Sequence, residues 1–514
     1  MTLLPVHRLR RAIPTGVGAA AVAAIVCGVF AWLGIVNGDE GWYAVCVRLV
    51  SEGRLPYRDF AFTQGPAYLY LLSPFVRVVP GLYTARAVSV LCTTVAVGLL
   101  VATARRVGGK WAARASCLAL LATIPSLPYW LSITKTYALS CLFFAAILYT
   151  LTSNARPLIR YPVAAALAVG LTETRTPGAV LAVLLLLVLL ARSPDSHTRF
   201  RVMLVTVIVA LPFAVLLVLE WAPAQWNLLA YHQLGSTGSP GIGRFFSRTS
   251  SAVLAWPGPF LLGVAALVVI GLDPDLRARL RRRLDLVAVA VGLVAFVLLH
   301  ETAARFFAEE YLAPVIAPIL VVSVVVLVRA TTAASADAAR RRFALAVRGV
   351  LVVGIAVTAV TGGHSYYIGH PGWKGDPAGL SALTKCVQQH SSPHDTVFAL
   401  ALEEVVAQAH RQPVRGVTLG SFSYQDLSAK RAREVHVLNA GELAATFRRR
   451  PPKLAVLTVD DIFETQRAGF FSKKHVVNIG FYGVFKTYRP VCRVTVVRHV
   501  FENLPVKVTV YARP

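Results

Sequence analysis

Charged residues are scarce in this chain, and acidic residues are scarcer than basic ones. Only 15% of the 514 residues are charged, whereas 56% are hydrophobic. Soluble globular domains carry about 25% charge, so too few polar residues remain here to cover a water-soluble surface. Repeated apolar stretches of about 18 residues or more indicate instead a helical protein that crosses the membrane many times.

Several chemical signatures are missing from the sequence. There is no P-loop and no complete Gly-x-Gly-x-x-Gly after a strand, which argues against ATP-driven work. The seven cysteines show no Cys-x-x-Cys spacing of the kind that binds metals. His232 and His300 are isolated in sequence, so we expect no cofactor, and a divalent metal is the less favoured alternative. Cys386 and Cys492 could pair if the tail faces an oxidising compartment.

The excess of basic residues reflects membrane topology. Lysine and arginine number 52 against 25 acidic residues, a formal net charge of +27. These cations are spread over short loops between apolar segments, so a nucleic-acid-binding domain is not indicated. The pattern follows the positive-inside rule and suits contact with anionic lipid head groups.

About eleven spans are predicted, in a multi-pass plasma-membrane protein. Arg8, Arg10 and Arg11 place the N-terminus in the cytoplasm, and no clear cleavage site follows the first span. Asp39 then emerges outside, and every strongly basic loop falls on the cytoplasmic side. The predicted spans are 16–36, 84–104, 115–125, 130–151, 161–171, 177–190, 202–221, 251–272, 284–299, 311–328 and 343–360.

Two domains are predicted: residues 1–361 form the membrane part, and 362–514 form an extracytoplasmic α/β domain. The external loop 37–83 carries two short apolar or amphipathic segments that suit helices on the membrane surface. The tail alternates strand-like and helix-like segments. The surface helices are 42–49 and 67–79, the strands 396–400 and 454–459, the tail helix 403–411, and the closing hairpin 494–500 with 506–511.

Asp39 and Glu40 are adjacent carboxylates at the outer end of the first span. Such groups are costly to desolvate and are seldom placed at a membrane boundary without a use. A carboxylate held there can act as a general base toward a hydroxyl. One of the pair is expected to do chemistry, while the other binds a helix terminus or a basic neighbour. The alternative is an exposed acidic N-cap for the helix that follows.

Several cations on the same side could bind a lipid phosphate, since arginine matches phosphate with its two-pronged fork. Arg175 is of most interest because it lies at the break between two short helices, where irregular backbone lines a cavity. Lys135 and Arg305 have a second interpretation, as side chains that only reach toward the head groups. The remaining candidates on this side are Arg54, Arg58, His232 and His300.

These residues together resemble the GT-C membrane glycosyltransferases, most of all glycosyltransferase family 39 with its protein O-mannosyltransferases and the aminoarabinose transferase acting on lipid A. The resemblance covers roughly residues 16–360. It rests on Asp39-Glu40, Tyr43, Gly53-x-x-Pro56-Tyr57-Arg58-Asp59-Phe60, Gln64-x-Pro66 and Glu310-Tyr311-Leu312-x-Pro314.

The resemblance implies a sugar donor linked to polyprenyl phosphate, an unknown glycan, lipid or protein acceptor, and inversion on the outer face. Asp39 matches the family's catalytic carboxylate, and Glu310 with Tyr311 matches a position near the cavity. Several relatives carry lysine where Gln64 stands. The phosphate-binding cation must then be another residue, such as Arg58, Lys135 or Arg175.

Two other functions remain open. A transporter or flippase for lipid-linked sugars would show charged residues in mid-span and internal repeats. The acidic residues instead lie mainly at span ends on one side, which favours an interfacial enzyme. The third alternative is a receptor or structural membrane protein with an external α/β module. The sugar and the acceptor are not readable from the sequence.

Overall fold

The computed structural model describes residues 7–233, 242–302, 309–332, 338–363, 375–458, 487–499 and 503–514. Long apolar helices dominate the chain up to residue 363, and a mixed α/β part follows. The first part contains α1 (His7–Leu33), β1 (Val36–Asn37), α2 (Glu40–Ser51), α3 (Ala67–Val78), α4 (Leu82–Ala122), α5 (Leu127–Ser132), α6 (Tyr137–Leu151), α7 (Pro157–Thr174), α8 (Ala179–Arg192), α9 (Ser196–Leu219), α10 (Trp221–Gln225), α11 (Tyr231–Gln233), α12 (Ile242–Ala255), α13 (Pro257–Leu272), α14 (Pro274–Arg281), α15 (Leu284–Thr302), α16 (Ala313–Thr332) and α17 (Ala338–Gly363).

The C-terminal part combines short helices with strands that were largely predicted. Its elements are α18 (Pro377–Gln389), β2 (Thr396–Phe398), α19 (Glu403–Gln408), β3 (Gln412–Pro413), α20 (Ala429–Glu434), α21 (Ala440–Arg449), β4 (Leu454–Thr458), β5 (Arg489–His499) and β6 (Asn503–Ala512). The predicted hairpin is present, because β5 and β6 pair in antiparallel fashion.

The predicted fold class, a polytopic helical membrane protein with a C-terminal α/β domain, is confirmed. Among the residues that the structure describes, five helices are long and apolar enough to cross a membrane, or up to seven if each of two bent helix pairs forms one span. All eleven predicted segments coincide with helices. Three of them fall on the shorter or less apolar helices α6, α7 and α8, and two share the single helix α4.

The helix α4 is long because two predicted spans run together. Its 41 residues would extend about 60 Å as one straight helix, twice the thickness of a bilayer core. Gly109, with φ 79° and ψ −167°, breaks it. Thr93, before the break, donates a hydrogen bond to the carbonyl of Leu131, which follows the second half of the helix. The chain therefore returns toward its starting end, as the two-span prediction requires.

The basic loops gather at one end of the helix bundle. Arg106, after the first half of α4, donates to the carbonyl of Tyr149 at the end of α6. Arg329, at the end of α16, donates to the carbonyl of Val107. These helix ends were predicted to share a side, and the hydrogen bonds place them together. The acidic residues of the first loop lie at the opposite end.

The C-terminal sheet includes a strand from the membrane part. Its order is β1-β5-β6-β4-β2-β3, and β1 pairs in parallel with the end of β5, with Val36 opposite Arg498. The backbone N–H of Gly375 also donates to the carbonyl of Leu33. This pairing was not predicted, because a two-residue strand carries no pattern. A disulfide between Cys386 and Cys492 joins α18 to β5; the sequence had left this pairing open.

The helix α2 is covered by protein, although its sequence suggested a helix on the membrane surface. All residues from Glu40 to Val50 are buried. The close approach depends on Gly41, where a Cβ atom would lie 2.5 Å from the backbone nitrogen of Glu404 in α19. Arg48 adds a hydrogen bond from its guanidinium to the carbonyl of Val406. The C-terminal part therefore packs directly on the first loop.

Gly41→Ala is expected to destabilise the protein, because the added methyl group meets backbone that cannot move freely. Overpacking of this kind costs about 1–3 kcal/mol. The control is Gly28→Ala in α1, where no atom lies within 4 Å of the added Cβ. Thermal unfolding of both variants in one detergent tests the packing, and equal midpoints would contradict it.

Candidate active site

The segment after α1 holds Asp39 and Glu40 in fixed positions. The side-chain oxygen of Asn37 accepts a hydrogen bond from the N–H of Asp39 at 3.1 Å, which shapes the turn into α2. Glu40 is fully buried, and one of its oxygens accepts from the N–H of Asn37 at 3.0 Å. Its other oxygen accepts from the N–H of Thr134 at 2.7 Å. Glu40 thus connects the first loop to the segment before α6.

Arg86 is the partner of Glu40, and the sequence analysis missed it. Its Nε donates to Glu40 Oε1 at 2.8 Å, and a second guanidinium nitrogen contacts Glu40 Oε2. The guanidinium also donates to the carbonyls of Ala31, Gly34 and Ile35, at the frayed end of α1. The sequence signal was an arginine just inside the end of an apolar span, where a charged residue usually has a partner, but the signal does not say which residue that partner is.

Asp39 lies beside a buried lysine. Lys135 Nζ is 2.8 Å from Asp39 Oδ2 and 3.5 Å from Glu310 Oε1. The Lys135 side chain is 2% exposed, whereas that of Asp39 is 28% exposed. Asp39 occupies the N-cap position of α2, but its side chain makes no capping hydrogen bond. The carboxylate is therefore directed to Lys135 while part of it remains accessible, and the N-cap alternative is not what the geometry shows.

Aromatic rings surround this ammonium group. Lys135 Nζ is 5.4 Å from the ring centroid of Tyr137 and 5.8 Å from that of Trp130. Cation–π contacts of this kind help to hold a charge away from water. Tyr43, in α2, is also buried, and burial raises the pKa of its phenol to about 12. The Tyr43 phenol is consequently protonated at neutral pH and a poor candidate for a base.

Arg175 also lies against Tyr137, with its Cζ atom 5.0 Å from the same ring centroid. Its backbone is extended between α7 and a short 3-10 turn. The side chain is buried, and its Nε has no hydrogen-bond partner among the described residues. The Cζ atom is also 5.8 Å from the ring centroid of Tyr311. A guanidinium with an unused donor therefore faces the aromatic cluster.

His300 holds Arg175 through a hydrogen bond of 2.8 Å between His300 Nε2 and the guanidinium. The other ring nitrogen, Nδ1, is 2.8 Å from the carbonyl of Phe296, to which only an N–H can donate. This assigns the proton of a neutral ring to Nδ1 and leaves Nε2 as the acceptor for Arg175. His300 is thus a neutral orienting residue.

Six of the predicted site residues therefore meet in one cluster, which we call the junction cluster: Asp39, Lys135, Arg175, His300, Glu310 and Tyr311. The segments that contribute them are far apart in sequence, and irregular backbone carries Lys135 and Arg175. Formally, two carboxylates face two cations. Lys135 is shared by both carboxylates, whereas Arg175 has no salt bridge among the described residues.

Other predicted residues lie elsewhere. The Arg58 side chain is 51% exposed and pairs with its neighbour Asp59. The carbonyl of Gln64 accepts a hydrogen bond from the hydroxyl of buried Tyr57. The ring of His232 contacts the carbonyl of Thr63 at 2.9 Å, and burial lowers the pKa of this histidine. The contacts of Arg58 and Gln64 shape the first loop, whereas His232 lies near the junction cluster, because the charge of Arg175 also lowers its pKa.

Two more candidates from the sequence do not join the cluster. Arg54 is exposed and donates to the side chain of Gln412 in the C-terminal part. Arg305 lies outside the described residues. Within the described ranges, no group of three or more His, Cys, Asp or Glu residues could hold a metal ion. The chemistry available at the junction cluster is that of two partly exposed carboxylates, of which Asp39 is the more accessible, with two cations and aromatic residues.

No family model matches the chain, and no curated protein does. Two solved structures of ArnT from Cupriavidus metallidurans match it over 96% of this chain and 97% of theirs. The apo structure is 17% identical with a TM-score of 0.60, and the structure bound to undecaprenyl phosphate is 16% identical with a TM-score of 0.56. The chain has the GT-C fold.

The resemblance inferred from the sequence is therefore confirmed at the level of the fold. The GT-C fold combines a polytopic helical part with a sheet-containing C-terminal part, and both are present here. The match extends well beyond the region on which the resemblance was based, since it includes the residues after 360. Identity this low supports the fold alone, and the roles of the junction-cluster residues are argued from their own geometry.

Arg86→Met is expected to lower the free energy of unfolding by about 3–5 kcal/mol, because it leaves the Glu40 carboxylate buried without its cation. The double variant Glu40→Gln/Arg86→Met should lose less than the sum of the single variants. The control is Arg77→Met, at an exposed position in α3. Thermal unfolding midpoints provide the measurement, and strict additivity of Glu40→Gln and Arg86→Met would contradict the coupling.

Proposed function

We propose that the protein is a glycosyltransferase that moves a sugar from a polyprenyl-phosphate donor to an acceptor hydroxyl. The observation that carries this proposal is the junction cluster, in which an accessible carboxylate lies beside a buried lysine and arginine. The GT-C fold supports it, as does the undecaprenyl phosphate bound by ArnT, which has the same fold. The sugar class and the acceptor are left open.

Asp39 acts in this proposal as the general base. It takes the proton of the acceptor hydroxyl while the acceptor oxygen forms a bond to the anomeric carbon of the sugar. The bond between that carbon and the phosphate oxygen breaks, and the lipid phosphate leaves with the electron pair. A single displacement inverts the anomeric centre. Lys135, whose Nζ is 2.8 Å from Asp39 Oδ2, orients the Asp39 carboxylate.

Arg175 is the residue that we assign to the lipid phosphate. Its guanidinium has no carboxylate partner among the described residues, and its buried Nε has a donor to spare. An incoming phosphate would supply the missing negative charge and the acceptor oxygens. His300, which accepts a hydrogen bond from Nη2 of the guanidinium, keeps Arg175 oriented. Tyr311 and Tyr137 exclude water around it.

Glu40 takes a structural role in this proposal, because both of its oxygens accept two hydrogen bonds each. One carboxylate of the acidic pair was expected to bind a helix terminus or a basic neighbour, and Glu40 takes that role. Glu310 shares Lys135 with Asp39 and limits the movement of the ammonium group. Arg58 is directed to Asp59 and to solvent, so it is not proposed as a phosphate ligand.

The reaction is proposed to take place on the outer face of the plasma membrane. The basic loops at the opposite end of the bundle then face the cytoplasm, as the positive-inside rule requires. The same orientation puts the N-terminus inside and the C-terminal α/β part outside. The donor reaches the junction cluster from the lipid, and the acceptor approaches from the aqueous side.

Asp39→Asn is expected to reduce sugar transfer at least about 100-fold, because it removes the base while keeping the shape of the side chain. Binding of a polyprenyl-phosphate sugar should persist. The control is Asp59→Asn, which makes the same substitution at another aspartate of the first loop. This variant should keep near-normal turnover. Donor binding and initial rates are measured on purified protein, and full turnover by Asp39→Asn would remove Asp39 as the base.

Arg175→Gln should raise the donor KM about 10- to 100-fold, since a hydrogen bond to a charged group contributes roughly 1.5–3 kcal/mol. Arg175→Lys should restore part of this loss through its charge. His300→Ala should raise the donor KM less than Arg175→Gln, because it removes only the orienting contact. Exposed Arg54→Gln is the control. Initial rates at a series of donor concentrations give the KM of each variant. An unchanged KM for Arg175→Gln would contradict the assignment.

A further inference from the structure

A second concentration of positive charge lies at one end of the interior strands β4, β5 and β6 of the C-terminal sheet. The register places Leu454 and Arg489 opposite Ala512 on either side of β6, so the cations next to these positions are close neighbours. Arg513 donates its N–H to the carbonyl of Lys453. We call this set the edge patch: Arg448, Arg449, Arg450, Lys453, Arg489 and Arg513.

The charges of the edge patch are not neutralised locally. None of its six cations takes part in a salt bridge among the described residues, whereas Arg431 and Arg433 of nearby α20 are paired with Glu434 and Glu442. Arg448, Arg449 and Arg450 are all exposed at the end of α21. Holding so many like charges together is unfavourable unless an anionic partner offsets them.

A polar pocket of about 390 Å³ lies within this patch. Its wall includes Lys453, Arg513, His394 and Asp395. Lys453 Nζ donates to the carbonyl of Arg513 at 3.2 Å and so holds one side of the wall. Asp395, also in the wall, accepts a hydrogen bond from the N–H of Ser392. The two cations of the wall, Lys453 and Arg513, suit a ligand with anionic groups.

Membrane topology does not explain the edge patch. Arg489 begins β5, and the opposite end of this strand pairs with β1 beside Asp39. At about 3.3 Å per residue, the patch is about 30 Å along the strand from the junction cluster. Lipid head groups lie at the membrane surface, and loops that follow the positive-inside rule lie at the other end of the bundle. The positive charge of the edge patch and its separation from the junction cluster suit an anionic ligand in the aqueous phase.

We propose that the edge patch binds an anionic polysaccharide that carries phosphate or uronate groups, as a docking surface for the acceptor chain. This inference rests on the proposed function, because it uses the outer location of the C-terminal part and the need for an acceptor. Repeated anionic groups along one chain match cations that are spread over α21, β4, β5 and β6. The junction cluster then acts on a hydroxyl of the same chain or of its lipid carrier.

The test measures binding of labelled polygalacturonate to the full-length protein in nanodiscs of uncharged lipid, at two salt concentrations. The patch variant is Arg448→Gln/Arg449→Gln/Arg450→Gln. The control variant, Lys385→Gln/Lys430→Gln/Lys507→Gln, removes the same charge from exposed positions outside the patch. We expect a loss of affinity of about tenfold or more and a smaller salt dependence for the patch variant, with less than about twofold loss for the control.

Equal losses in the two variants, or equal binding of uncharged dextran, would overturn the inference. The inference would also be overturned if the edge patch, but not the control positions, bound anionic vesicles more strongly than the polymer. Transfer of sugar to a small soluble acceptor should be unchanged in the patch variant. If Asp39→Asn keeps full turnover while the patch variant alone loses polymer binding, the proposed function fails and the edge patch stands as a polymer-binding surface.

Discussion

The buried ion pair between Glu40 and Arg86 is the interaction on which the site depends. It connects the end of α1, the start of α2, the start of α4 and the segment before α6. Two opposite charges removed from water are stable only when their remaining donors and acceptors are satisfied. Arg86 meets this condition through three backbone carbonyls, and Glu40 through two backbone N–H groups.

This constraint explains why two adjacent carboxylates have different environments. Successive residues at the start of a helix point in different directions. Glu40 turns inward to Arg86 and becomes part of the scaffold, while Asp39 turns toward Lys135 and keeps 28% of its side chain exposed. The N–H of Thr134 binds Glu40, and Lys135 is the next residue. The scaffold pair thereby places both members of the Asp39–Lys135 pair.

The sequence predicted the parts of the structure that have strong local signals. Apolar segments and basic loops indicated the helices and their alternation between two ends. The position of Arg175 at a helix break indicated a cavity-lining cation, and the structure places it beside Tyr137 with His300 as its partner. The resemblance to GT-C enzymes added Glu310 and Tyr311, which also lie in the junction cluster.

Other features depend on contacts between distant segments and could not be read locally. Arg86 looks like one more arginine near a span end until Glu40 is seen against it. The strand β1 is two residues long and is defined only by its pairing with β5. The burial of α2 depends on α19, more than 350 residues later, and on the absence of a side chain at Gly41. Arg58 belongs to the motif that carried the resemblance, yet it pairs with Asp59 at the surface.

A structure of this protein with a polyprenyl phosphate bound would test the roles of Asp39 and Arg175 most directly. We expect phosphate oxygens within hydrogen-bond distance of the Arg175 guanidinium. We also expect the exposed side of the Asp39 carboxylate to face the position where the sugar would be attached. A phosphate bound away from Arg175, or a lipid path that does not reach the Asp39 side of the bundle, would contradict it.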